Sequence, residues 1–97
     1  MAEVVYSENA LANLERIFGF LLEQDPQAAM TAAAVIREAV ETLSNHPLIG
    51  RSFAGELREL VISYGKTGYI ALYRLVPAQD QVRILAIRHQ RELDFPI

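Results

Sequence analysis

The sequence has no cysteine and no tryptophan, and only two histidines, His46 and His89. Without cysteine, neither a disulfide framework nor a thiolate metal site can form. Two histidines this far apart, with no carboxylate motif beside them, do not make a metal site. No Gly-rich phosphate loop is present, and Gly65 and Gly68 sit where a hairpin turn is expected. No apolar run approaches the ~20 residues that a membrane helix needs. The opening Met-Ala-Glu-Val-Val-Tyr lacks a basic segment followed by an apolar one, so no signal peptide is expected. The expectation left by these absences is a soluble cytoplasmic protein that needs neither metal nor cofactor.

What is present indicates one domain spanning residues 1–97. Hydrophobic residues are 52% of the chain and charged ones 22%, which favours a packed core over disorder. So small a core gives modest stability, and a stabilising partner fits that. The net charge of -3 hides an asymmetry. Residues 1–50 carry two arginines against seven acidic side chains, whereas residues 51–91 carry seven cations against three. Two faces with different partners are one reading, and Glu-rich helix surfaces are the plainer one.

Read in order, Glu3 to Tyr6 is a short strand. Ser7 is a good N-cap, and Glu8 follows it in the first turn, where negative charge suits the helix dipole. Leu11, Leu14, Ile17, Phe18, Leu21 and Leu22 recur at helical spacing, with the helix ending near Gln24. Asp25-Pro26 stops one helix and starts another, whose alanine-rich sequence permits close packing against a neighbour. So short a link implies an antiparallel helical hairpin. After a break at Ser44-Asn45-His46-Pro47 and a turn at Gly50, the periodicity changes to that of strands: 57–63, 69–76 and 82–89. Short turns join these strands, so they pair antiparallel. The predicted fold is α+β, β-α-α-β-β-β, with the hairpin on one face of a small antiparallel sheet. In the middle strand, alternation places Tyr69, Ala71, Tyr73 and Leu75 on one face and Ile70, Leu72, Arg74 and Val76 on the other. The face away from the helices is then partly apolar, contains Arg74, and is expected to be covered. The last strand runs from Val82 into Arg88, His89 and Arg91, a scaffold presenting cations at its tip.

The order and spacing of several pieces resemble the RelE/ParE superfamily, the toxins of type II toxin–antitoxin modules. The pieces are Ser7 with Ala10 and Leu14; Asp25-Pro26; His46-Pro47 followed by Gly50-Arg51; Arg58-Glu59-Leu60; Gly68-Tyr69 with Tyr73-Arg74; and Ile87-Arg88-His89-Gln90-Arg91. The resemblance implies a bacterial or plasmid-borne toxin of a plasmid-stabilisation module that inhibits growth and is held in a hetero-oligomer by its antitoxin. It also implies one of two targets. RelE-like members cut messenger RNA in the ribosome, whereas ParE-like members poison DNA gyrase without being nucleases. Ile70 stands where RelE-like nucleases tend to carry a basic residue, little chain follows Arg91, and the net charge is acidic. These features favour the ParE-like branch.

For a nuclease, His89 is the candidate general acid or base, with Arg74, Arg88 and Arg91 holding phosphate charge. The plainer reading has His89 capping a strand end while the arginines are solvated or paired with Glu92 and Asp94. Arg51 and Arg58 flank the first turn of the meander and suit carboxylate or phosphate recognition, or ion pairs with Glu56 and Glu59. Tyr69 and Tyr73 can stack on bases or serve the core. The expected target-binding set is therefore Arg51, Arg58, Arg74, Arg88, His89 and Arg91. The segment Arg88 to Ile97 is expected to contact gyrase. A member that has lost its target and only binds an antitoxin is the third reading.

Overall fold

A computed structural model describes residues 1–96. Ile97, which ends the expected domain and contact segment, lies outside the described residues. Strand β1 (Glu3–Tyr6) leads into helices α1 (Glu8–Gln24) and α2 (Pro26–Glu41), followed by strands β2 (Arg51–Ala54), β3 (Leu57–Tyr64), β4 (Thr67–Val76) and β5 (Gln81–His89). The local signals act as expected. The Ser7 hydroxyl accepts from the Ala10 amide, and Asp25 accepts from the amides of Gln27 and Ala28 at the start of α2. The helical hairpin lies on one face of the sheet, and the α+β arrangement is the expected one.

Two features extend it. The sheet has five strands in the order β1-β5-β4-β3-β2, with β2 as an additional edge. Strand β1 pairs with β5 in parallel, so the sheet is mixed rather than wholly antiparallel. The rule that short turns give antiparallel pairs applies to the β2–β5 meander and says nothing of a strand from the other end of the chain. The first turn after β3 is also tighter than expected. Thr67 already pairs with Tyr64, so only Gly65 and Lys66 remain to form the turn, with Gly65 at a positive φ of 59°. Gly68 therefore lies within a strand, where a Cβ would run into the Ile62 carbonyl oxygen.

The core forms between the hairpin and the inner face of the sheet. Ile36 and Val40 of α2, Ile17 of α1, Ile62 of β3 and Tyr69, Ala71 and Tyr73 of β4 meet there with Val82, Ile84 and Ile87 of β5. Of the residues expected on the apolar face of α1, Ile17 is buried, but Leu11 and Leu22 are 48% and 45% exposed. The inward stripe runs instead through Ala10, Asn13, Leu14, Ile17 and Leu21.

Strict alternation along β5 would place Val82, Ile84, Ala86 and Arg88 on one face. Leu72 pairs with Ala86 while the next residue, Tyr73, pairs with Ile84, leaving Leu85 as an extra residue in β5. This bulge inverts the alternation beyond it. Ile87 and His89 now share the inner face with Ile84, and Arg88 points outward. The bulge falls where β1 has ended and the edge of β5 needs other partners. Helix α1 supplies them. The Ser7 hydroxyl and the Asn9 amide group donate to the Leu85 carbonyl at 3.1 and 3.0 Å. Asn13, 5% exposed, accepts from the Ile87 amide at 2.9 Å.

Replacing Asn13 by Ala would leave the Ile87 N–H buried and unpartnered, at a cost of about 1–3 kcal/mol. Denaturant titration should show that loss, with faster hydrogen exchange at Ile87. A change within about 0.5 kcal/mol, as for an ordinary surface site, would contradict this role for Asn13.

Candidate functional site

The six cations expected to form one site fall into three places. Arg51 and Arg58 are at the β2–β3 end. Arg51 Nε donates to Glu59 Oε1 at 2.8 Å, and Glu59 is only 6% exposed. Arg58 donates to the carbonyls of Gly50 and Leu48 at 2.7 and 3.3 Å. Beside it the Gly50 amide donates to the hydroxyl of fully buried Tyr73 at 2.9 Å. A Cβ on Gly50 would come within 2.6 Å of the Tyr73 side chain. Burial pushes the Tyr73 phenol up, against the Gly50 hydrogen bond and the Arg58 charge, which lower it. Arg51 and Arg58 are thus engaged in holding this loop and its buried carboxylate, and Tyr73 belongs to the core.

The second place is the outer face of the sheet. Arg74 stands opposite Arg83 in register. Like charges directly across a strand pair repel. Arg83 is steadied by the side-chain carbonyls of Gln81 and Gln79 at 3.1 and 2.5 Å. No side-chain hydrogen bond or ion pair engages Arg74 among the described residues. Arg88 is on the same face but opposite Ile70, roughly 13 Å away along the strand. Its guanidinium donates to the carbonyls of His89, Gln90 and Glu92 at 3.3, 3.3 and 2.5 Å, and its carbon lies 5.0 Å from the centre of the Phe95 ring. Phe95 meets Phe53 edge-on at 5.8 Å. The segment after β5 thus folds back on Arg88, and Asn9 fixes its end by donating to the Pro96 carbonyl at 2.8 Å. Ile70 and Ala86, also on the outer face, are 4% and 1% exposed, but Val61 opposite Ile70 is 47% exposed, so the chain itself covers this face only in part.

His89 occupies the third place, on the helix side of the sheet. Its Nδ1 accepts from the Arg91 amide at 3.1 Å, which puts the neutral ring's proton on Nε2, 2.6 Å from the Thr67 hydroxyl. Tyr69 packs edge-on against the ring at 5.5 Å, and burial pushes the Tyr69 phenol up. Arg91 is exposed and stands in the turn beyond the strand. The Glu92 carboxylate accepts from the His89 amide at 2.9 Å and from Arg16 at 3.3 Å. Burial alone pushes the Glu92 carboxyl up. The His89 amide, the Arg16 hydrogen bond and charge, and the His89 charge together bring it net below the usual glutamate value. Of the paired carboxylates foreseen around this tip, Glu92 has a partner, and that partner is Arg16. Asp94 is exposed.

Arg16, Arg83, Asn9 and Asn13 were not among the expected site residues. For Asn13 a signal existed, because it interrupts the i, i+3, i+4 stripe of Ala10, Leu14 and Ile17 that faces the core. Asn9 lies one turn before it on the same side. Arg16 offers no such signal, since its partner lies 76 residues away in sequence.

Two outcomes check these assignments. Arg51→Gln, by leaving buried Glu59 without its counter-charge, should cost ~1–3 kcal/mol. Arg51→Gln with Glu59→Gln should recover most of that loss, whereas additive losses in the double variant would contradict a structural pair. Because the Glu92 carboxyl is lowered in the folded chain, its contribution is complete above the ordinary glutamate range, near ~4.3, and fades as pH falls through the folded value. The His89 amide proton should therefore shift with a midpoint below that of a free glutamate. A midpoint at or above it would contradict the contact.

The family model described as the ParE toxin of the type II toxin–antitoxin system, parDE, matches residues 4–94. The Caulobacter vibrioides protein named Toxin RelE3 is 36% identical over 92 residues, covering 95% of this chain and 98% of the relative. Toxin RelE2 of the same organism is 34% identical, covering 96% and 100%. Among solved structures, a chain of the chromosomal ParDE system from P. aeruginosa has a similar fold, with a TM-score of 0.73 at 22% identity over 92% of this chain and 96% of that one. The RelBE2 toxin–antitoxin complex of Mycobacterium tuberculosis gives 0.61 at 27% identity, covering 94% and 93%. With a family model spanning nearly its whole length and relatives matched end to end, this chain belongs to the ParE toxin family of type II toxin–antitoxin systems, within the RelE/ParE superfamily.

Proposed function

We propose that this toxin acts by binding DNA gyrase rather than by cutting RNA, and that an antitoxin silences it. One observation carries the first part. The candidate acid–base group, His89, is on the opposite face of the sheet from two of the three candidate phosphate-holding groups, Arg74 and Arg88, and only Arg91 stands in the turn beside it. Cleavage of RNA by attack of its 2′-hydroxyl needs an acid or base within hydrogen-bond reach of the same phosphate that the cations hold. His89 faces α1 and spends both ring nitrogens on Thr67 and the Arg91 amide. Arg74 and Arg88 face away from it, and Arg88 is taken up by backbone carbonyls. That arrangement suits recognition, with Arg74 and Arg83 as the contact cations. Gyrase as the target is what the ParE-like resemblance implies. The names of the relatives draw on both branches and do not choose between them.

The antitoxin reading draws on the solved neighbours, which are toxin–antitoxin complexes. The helical hairpin offers a matching surface, since an apolar groove of about 270 Å³ runs between α1 and α2. Leu14, Phe18, Ala33 and Ile36 line it, with Glu15 and Arg37 among the lining residues. Beside it Leu22 and Met30 are 45% and 62% exposed. An amphipathic helix with i, i+3, i+4 anchors fits such a groove.

Expression without a partner in a bacterial host should arrest growth and leave messenger RNA intact. Co-expression of a cognate antitoxin should restore growth. In a supercoiling assay the purified chain should inhibit gyrase, His89→Gln should retain that inhibition, and Arg74→Glu with Arg83→Glu should weaken it about tenfold or more. Cleaved messenger RNA together with loss of toxicity in His89→Gln would establish the ribosome-dependent nuclease instead. The absence of any growth defect would indicate a member that only binds its antitoxin.

A further inference from the structure

Where β5 ends, α1 stands apart from the β3–β4 hairpin and leaves a cleft of about 490 Å³. Ile17, Phe20 and Leu21 line it from the helix, and Tyr64 and Tyr69 from the strands. Phe20 is 61% exposed, a large ring left in water at the side of a concave apolar surface. Two guanidiniums, Arg16 and Arg91, also line the cleft, but only one carboxylate, that of Glu92. That carboxylate is loosely held by Arg16, with oxygens 3.3 and 3.5 Å from Nη2. Well-formed charge-assisted contacts are nearer 2.7–2.9 Å. The Arg91 side chain has no carboxylate partner among the described residues. The cleft therefore already shows how it accepts a carboxylate, through one backbone amide and one guanidinium, and has cationic capacity left over. The anion already seated on this amide and guanidinium is a carboxylate, so carboxylate chemistry fits the cleft best.

We propose that this cleft takes an aromatic or bulky apolar side chain, with a neighbouring carboxylate, from a segment of a protein partner. The carboxylate replaces Glu92 on Arg16 and the His89 amide, and Arg91 adds the second guanidinium. Glu92 is then an internal placeholder that the partner displaces. The inference rests on the reading that the toxin is held by a protein partner, and it adds a pocket apart from the groove between α1 and α2.

A nuclear magnetic resonance titration tests it without any antitoxin, using N-acetyl-phenylalanyl-glutamyl amide as the probe. N-acetyl-phenylalanyl-glutaminyl amide and sodium acetate are the controls. Saturable shifts are expected at Phe20, Tyr64, Thr67 and Tyr69, with the glutamine probe about threefold weaker or worse, the scale of one exposed ion pair. Glu92→Gln, which removes the placeholder's charge, should tighten the glutamate probe by a similar factor, and Arg16→Gln should loosen it. A merely structural ion pair would make the two substitutions act in the same direction. The proposal is overturned by equal binding of the two dipeptides, by effects of the same sign in the two variants, by shifts confined to the groove between the helices, or by acetate alone reproducing the response. Failure here leaves rescue by an antitoxin untouched, and failure of rescue leaves the dipeptide result standing.

Discussion

A single buried amide, Asn13, holds the last strand in the form on which the rest depends. Strand β1 runs beside β5 only as far as Ile84, so the backbone beyond it would meet the core with open hydrogen bonds. Side chains at the start and in the second turn of α1 close them: Ser7 and Asn9 on the Leu85 carbonyl and Asn13 on the Ile87 amide. A helix here does the work of a missing strand. Leaving a buried amide unpartnered costs about as much as burying one large apolar side chain gains, so the seam counts in energy like a core residue.

This seam holds an extra residue at Leu85, and that residue decides where the cations point. Beyond the bulge Ile87 and His89 turn inward and Arg88 turns outward. The inward turn places Ile87 beside Ile84 in the core and seats His89 between Thr67 and Tyr69. The outward turn gives Arg88 to the segment that folds back over the sheet. Packing and hydrogen bonding therefore divide one sequence cluster, Arg88-His89-Gln90-Arg91, between two faces. A toxin built this way can present Arg74 and Arg83 to a protein or nucleic-acid surface, but its imidazole is not beside those two.

The sequence was most legible where signals were local. Ser7 and Asp25 with Pro26 mark the helix starts, the change of periodicity at Leu57 marks the sheet, and Tyr69 and Tyr73 at one spacing suit the core. Legibility failed where a residue's partner lies far along the chain. The parallel pairing of β1, the Arg16–Glu92 contact and the clamp of Arg58 on Gly50 depend on the closed fold, and charge patterns alone do not specify them. The bulge at Leu85 was hidden for another reason: alternation is read two residues at a time, and one extra residue reverses it without altering the composition. The interruption of the inward stripe by Asn13 was the visible trace, since a buried amide needs a backbone partner.

The most direct measurement is the set of nuclear Overhauser contacts made by the His89 ring. The account predicts contacts to Thr67 and Tyr69 from a ring protonated at Nε2, and none to Ile70 or Arg74. Contacts from that ring to Ile70 or Arg74 would mean that β5 has no bulge and that the imidazole stands among the cations. The division of the site between two faces would then be wrong.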